Sequence, residues 1–131
     1  MRAGLFVLAL AIFSGGAWAA DWTLIWDDTK HGVKTYVDKS DIARIGPLVQ
    51  IWSLTNYERP AGVGGRKHMS EKALVEYDCE THEFRKLGFN WYSLHDGEGD
   101  LIYSYKDLGR KLPIAPKSAE EAGVKIACAK K

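Results

Sequence analysis

Only two cysteines, two methionines and four prolines occur in the 131 residues, and neither sign of charge predominates: 18 lysines and arginines face 17 aspartates and glutamates. Each scarcity excludes something. The charge balance argues against nucleic acid as the main partner, because phosphate binding wants a clear basic excess. Beyond the N-terminal segment no apolar run approaches the ~20 residues of a spanning helix, so no transmembrane segment is expected. There is no Gly-x-Ser-x-Gly elbow and no His-Glu-x-x-His pair. The two cysteines, once joined, leave no thiol nucleophile. Neither catalysis nor a metal centre is expected.

The one long apolar run lies at the start. Arg2 supplies a basic n-region, Leu5 to Phe13 an apolar h-region, Ser14-Gly15-Gly16 a break, and Ala17-Trp18-Ala19 an Ala-x-Ala cleavage site. Residues 1–19 are therefore expected to be a signal peptide of bacterial Sec type, and residues 20–131 one domain. The competing reading, a membrane anchor, needs a longer apolar stretch. No cysteine lies near the cleavage site, so a lipid anchor is not expected. The mature chain is placed in the periplasm, at the outer-membrane surface or in the medium. Loss of Arg2 with the leader leaves equal numbers of acidic and basic side chains.

Export gives the two cysteines a meaning. In an oxidising compartment Cys79 and Cys128 are most simply one disulfide. A redox-active pair is the alternative, but the Cys-x-x-Cys spacing is absent.

Runs of branched and aromatic residues predict strands at 22–26, 33–38, 47–57, 71–79, 84–94 and 101–106, with Gly, Pro, Asn and Asp between them. Short links favour an antiparallel meander. A helix follows. Ser118 fits its N-cap, with Glu121 at the capping-box spacing. Ala119, Ala122, Ile126 and Ala129 recur at helical spacing, a small-sided stripe that buries little. Gly123 weakens the helix by roughly 1 kcal/mol relative to Ala. Closing the Cys79–Cys128 loop would add on the order of 4 kcal/mol in the chain-entropy model. The expected fold is α+β: a six-stranded antiparallel sheet with a C-terminal helix packed on one face and tied by the disulfide. Ala73, Val75, Tyr77 and Cys79 alternate onto the face that the helix should cover.

Two loops are candidate contact segments. Gly62, Gly64, Arg66 and Lys67 form a Gly-rich tip with two bases, without the spacing of a phosphate-binding loop. Asp96, Glu98 and Asp100 carry carboxylates at alternate positions, but Leu101 and Asp107 stand where a calcium loop needs Gly and Glu. His31, His68, His82 and His95 all fall in or beside expected turns, and weak haem or metal ligation through them is a residual reading. Trp22, Trp26, Trp52, Trp91 and the six tyrosines are expected mostly in the core, filling the gap beneath a thin helix. Trp22, Leu24 and Trp26 alternate onto one face of the first strand. Aromatics on the uncovered face would make a binding patch or a dimer surface.

Several strings resemble the surface-adhesin protein E-like family of Gram-negative bacteria. They are Tyr36-Val37-Asp38 with Ile42, Val49-x-x-Trp52-x-Leu54-x-x-Tyr57, and Ser70-x-Lys72-x-Leu74-x-Glu76-Tyr77-Asp78-Cys79. Tyr92-Ser93 with Gly97, and Pro116-x-Ser118 with Cys128, complete the pattern. The resemblance spans nearly the whole mature chain. It implies the same six-stranded sheet, helix and disulfide, an exported protein, and an outer-membrane adhesin. The family's namesake binds host proteins such as vitronectin and laminin, and haem as a dimer. The chain departs from the pattern in lacking a lipid-bearing cysteine, in Arg110-Lys111-Leu112 where a Trp is common, and in Asp41 where a Ser or Thr is common. No ligand-binding residue carries over. The expected function is that of an exported, non-enzymatic binding module, monomer or homodimer, for host or matrix proteins. The alternative is a soluble periplasmic protein binding a small molecule, haem included, or an envelope partner.

Overall fold

Alternating branched and aromatic residues favour a pleated, half-buried backbone, and in the computed structural model they pair into one sheet. The structure describes residues 19–129, so residues 1–18 of the expected leader lie outside it. The strands are β1 (Trp22–Asp28), β2 (Val33–Ile45), β3 (Leu48–Ala61), β4 (His68–Asp78), β5 (Glu83–Tyr92) and β6 (Leu101–Lys106). They follow the order β1-β2-β3-β4-β5-β6, every neighbour antiparallel. A two-residue strand β7 (Leu112–Pro113) adds to β5 at Glu83 and Phe84, and α1 (Ala119–Ala127) closes the chain. The meander and terminal helix expected from the sequence are present.

Four local readings need correction. Strand β2 does not stop at Asp38 but continues to Ile45, skipping pairing between Val37 and Ile42. Asp27 and Asp28 belong to β1 rather than to a turn, and β4 begins at His68 rather than at 71. Trp26 does not share a face with Trp22 and Leu24. A bulge after Leu24 pairs Trp26 with Thr35, whereas Leu24 pairs with Tyr36, and one extra residue turns every later side chain over.

The helix-side face carries the core. Val37, Val49, Ile51, Ala73, Val75 and Tyr77 pack against Val124 and Ala127 of α1. Tyr77 is the one aromatic in that set. The tryptophans described are all only half-buried, so the expectation that aromatics fill the space beneath the helix does not hold. Small residues on α1 bring helix and sheet close enough for valine and isoleucine to suffice, each worth about 1.5–3 kcal/mol when fully buried.

Both ends of α1 are secured. The Ser118 hydroxyl accepts the Glu121 N–H at 3.1 Å, and Arg44 Nη1 donates to the Ala127 carbonyl at 2.6 Å. Cys79 and Cys128 are bonded, with Cα atoms 5.7 Å apart. Gly123, a weak helix former, has a packing reason: a Cβ there would collide with the Tyr77 hydroxyl beneath it. The Gly that reduces helix propensity is what admits the largest side chain of the core.

Candidate binding surface

Helix α1 lies against β1, β2 and β3. Among the described residues no helix lies on the helix-side face of β5 and β6, and there the sequence places aromatic rings. Their arrangement depends on one residue. Lys86 pairs with Val75 but Gly88 pairs with Leu74, so Leu87 is an extra residue in β5. Before this bulge Phe84 and Lys86 face the helix side; after it, Phe89 and Trp91 do, opposite Ala73 and Glu71. Without it, Gly88 and Asn90 would occupy that face. Strand β6 then sets Tyr105 beside Phe89 and Tyr103 beside Trp91.

The result is a continuous strip of rings. Tyr105 lies 5.6 Å from Phe89, Phe89 5.4 Å from Trp91, and Tyr103 5.2 Å from Trp91, between centroids. On the far side of Trp91 the His68 ring stacks at 4.1 Å, and Tyr57 meets His68 edge-on at 5.3 Å. Such spacings favour offset and edge-to-face contacts, which stiffen the strip. Tyr105 is 44% exposed; Phe89, Trp91 and Tyr103 are half-buried. His68 stands beside a turn as expected, at the first position of β4, but it is only 4% exposed, and its buried Nδ1 has no hydrogen-bond partner among the described residues.

Charge is arranged around the rings. Glu71, buried beneath the strip, accepts from Lys86 Nζ at 2.7 Å and from Trp91 Nε1 at 2.9 Å. This fixes the indole plane and satisfies a buried carboxylate. Lys86 also reaches over Phe89, 5.7 Å from its centroid. Arg66 sits over Tyr103 at 4.6 Å and forms no ion pair among the described residues. Burial, and then the Glu71 charge, push the Tyr57 phenol up to about 12, so it stays protonated as a donor.

Beside the strip, where the N-terminus of α1 stands off the sheet, there is a half-open cleft of ≈ 360 Å³. Trp26, Tyr57, Glu71, Lys86, Ser118 and Glu120 are among its walls. Tyr57, Glu71 and Lys86 belong to both features, so cleft and strip form one surface.

The two loops singled out from sequence meet different fates. Gly62, Gly64 and Lys67 lie at the exposed β3–β4 tip, and Arg66 alone reaches the strip. Gly62 makes that possible, since a Cβ there would strike the Arg66 carbonyl. Asp96 lies within a 3₁₀ turn (His95–Gly97) that is tied down, and Glu98 and Asp100 follow it. Asn56 Nδ2 donates to Asp96 Oδ1 at 2.8 Å, His95 Nε2 lies 2.7 Å from the Tyr57 carbonyl, and Gly97 N donates to Ser70 Oγ at 2.9 Å. Asn56 lies on the face away from the helix, so this turn meets the strip only through the Tyr57 backbone carbonyl and not at its rings. No three His, Cys, Asp or Glu side chains gather to hold a metal among the described residues. Sequence reasoning passed over Phe89, Tyr103 and Tyr105. Period-two alternation across Tyr103 and Tyr105 was a signal for β6, and Gly88 was the only hint of the bulge.

A family model described as surface-adhesin protein E matches residues 22–129. Crystal structures of Haemophilus influenzae protein E have the same fold. One is 16% identical, with a TM-score of 0.60 over 83% of this chain and 96% of that one. Another is 17% identical, with a TM-score of 0.62 over 82% and 84%. At that identity the likeness is one of fold. A search of curated protein sequences returned no match.

Proposed function

We propose that this chain, which belongs to the surface-adhesin protein E family, is an exported, non-enzymatic adhesion module that contacts host or matrix proteins through the aromatic strip. One observation carries the reading: half-exposed rings of Phe89, Trp91, Tyr103 and Tyr105 lie on a sheet face that no helix covers among the described residues, beneath an Arg66 without an ion-pair partner among them. Aromatic and arginine side chains are the groups that dominate protein interfaces, because they bury large area at low entropic cost. Gly62, Gly64 and Lys67 extend the contact at the tip that carries Arg66. Asp96, Glu98 and Asp100 serve a separate, weaker contact on the other face. No helix among the described residues is long and apolar enough to cross a membrane.

Binding to immobilised vitronectin and laminin tests this. Tyr103→Ala and Arg66→Glu should each weaken it about tenfold, as a hot-spot truncation does, while Glu98→Ala weakens it far less and all three melt like the parent. Equal binding by all of them would remove the strip from the reading.

The cleft supports a second reading, a periplasmic binder of a small molecule, since ≈ 360 Å³ lies within the usual range for ligand sites. A haem titration without a Soret shift takes haem out of that reading.

A further inference from the structure

The two edges of the sheet are finished differently. Strand β1 is guarded: it is bulged after Leu24, carries Asp27 and Asp28, and has α1 against it. Bulges, charges and covering elements are how sheets prevent unwanted pairing. Strand β6 is less guarded: it has one bulge, at Ile102, where Trp91 pairs with Tyr103 but Tyr92 with Leu101, and one charge, Lys106 at its end, and among the described residues no helix lies against it. It pairs only with β5, and among the described residues nothing pairs with its far side. Leu101 is 58% exposed, Ile102 36% and Tyr105 44%.

We propose that β6 is a docking edge, at which an extended acidic segment of a partner protein adds as a further strand. The backbone is the first reason. A free edge presents alternating N–H and C=O groups, and their complement is another extended polypeptide. The side chains are the second. Alternate residues of an added strand would continue the helix-side face next to Tyr103 and Tyr105, where Arg66 has no carboxylate partner among the described residues. Lys86, the other cation over the rings, is already paired with Glu71. A glutamate or aspartate on that face beside Tyr103 meets Arg66, and the residues between same-face positions need only favour an extended backbone. A second copy of this chain is the other possible occupant, but it would bring another Arg66 to the shared face rather than an anion. The proposal rests on the adhesion reading and names the mode of contact at the same surface.

The test uses the mature protein and a capped synthetic peptide alternating glutamate with valine and threonine. Three peptides are compared: this one, the same with lysine for glutamate, and the same N-methylated at alternate backbone nitrogens. Binding of the first peptide should slow hydrogen exchange at alternate amides between Leu101 and Lys106. The lysine and N-methylated peptides, each missing several charge-assisted or backbone hydrogen bonds, should bind at least about tenfold more weakly. Arg66→Glu should invert the preference between glutamate and lysine peptides, a change that misfolding would not produce. Equal binding of the N-methylated peptide, or no binding of any peptide, overturns strand addition. So does a β6 already protected in a dimer, with sedimentation showing the mass of two chains. If Tyr103→Ala abolishes matrix binding while N-methylation is without effect, the strip survives and strand addition fails. If peptide adds to β6 but matrix proteins do not bind, the adhesion reading alone fails.

Discussion

The helix-side face of this sheet is two surfaces in one. Over β1 to β4 it is built from valine, isoleucine and alanine around the single ring of Tyr77, covered by α1 and pinned by Cys79–Cys128. Over β5 and β6 it is built from rings, left open, and dressed with Arg66 and Lys86. Side-chain size explains the division. Small residues on both sides let a helix approach closely, whereas a row of tyrosine and tryptophan holds a helix off and itself supplies the contact area. The covered half supplies stability and the open half the capacity to bind.

The contrast is most directly broken at the disulfide. Replacing Cys79 and Cys128 together by serine frees a loop of 49 residues and should cost about 4 kcal/mol. Urea denaturation reads this. A midpoint equal to that of the parent would mean that α1 docks without its tether. The near-ultraviolet aromatic signal of the folded fraction should persist, because the strip does not depend on the helix.

Next is Gly123→Ala. In an exposed helix this change would stabilise by about 1 kcal/mol. Here the new methyl meets Tyr77, so the expected sign is opposite, a loss of up to about 3 kcal/mol from overpacking. Tyr77→Phe should recover part of it, and thermal melts of the two singles and the double measure the coupling. Additive losses would show that Tyr77 is not the cause.

Within the open half, Glu71→Ala should cost about 1–2 kcal/mol, because the Trp91 indole N–H loses its acceptor while still half-buried. Glu71→Gln, which keeps an oxygen there, should cost less. Tryptophan fluorescence and melting temperature follow the pair. No difference between the two variants would argue against the Glu71–Trp91 bond as what holds the strip.

The smallest effects are those of pH. The N–H of Thr81 chiefly, opposed by burial and aided by the Glu80 N–H and Lys111, holds the Asp78 carboxyl below its usual 3.8. Burial raises Asp38, but the Ser40 hydroxyl and N–H and the Asp21 N–H outweigh it and leave it lowered too. Depressed folded values mean stability that is present above pH 3.8 and lost as pH falls through them. The Tyr57 phenol runs the other way. Its value, raised from 10.0 to about 12, gives stability that is whole below pH 10 and lost as pH rises toward 12. Burial, then Glu120, raises Tyr77 as well. Asp78→Asn should flatten the acid limb of a stability–pH curve and Tyr57→Phe part of the alkaline limb. Unchanged limbs would refute the assignments.

The elements that could be read from the chain were those set by local chemistry. Ser118 as N-cap, the runs at 33–38 and 101–106, and the face shared by Ala73, Val75 and Tyr77 all follow from residues near one another in sequence. Trp26, Phe89 and Trp91 could not be placed that way, since each lies beyond a bulge and its face depends on how the neighbouring strand pairs. His68 read as a residue in or beside a turn because Gly64, Gly65 and Lys67 precede it, yet its burial is decided by Trp91, which stacks on it, and Tyr57, which meets it edge-on.

By itself, then, the sequence determined the strands, the capped helix and the pairing of its only two cysteines, because propensity, capping and thiol oxidation act on residue types present in the chain. The tertiary structure alone decided which aromatics face the helix side, and that they form an open strip rather than a core. A single extra residue at Leu87 reverses the faces of β5, and only cross-strand pairing records that it is there.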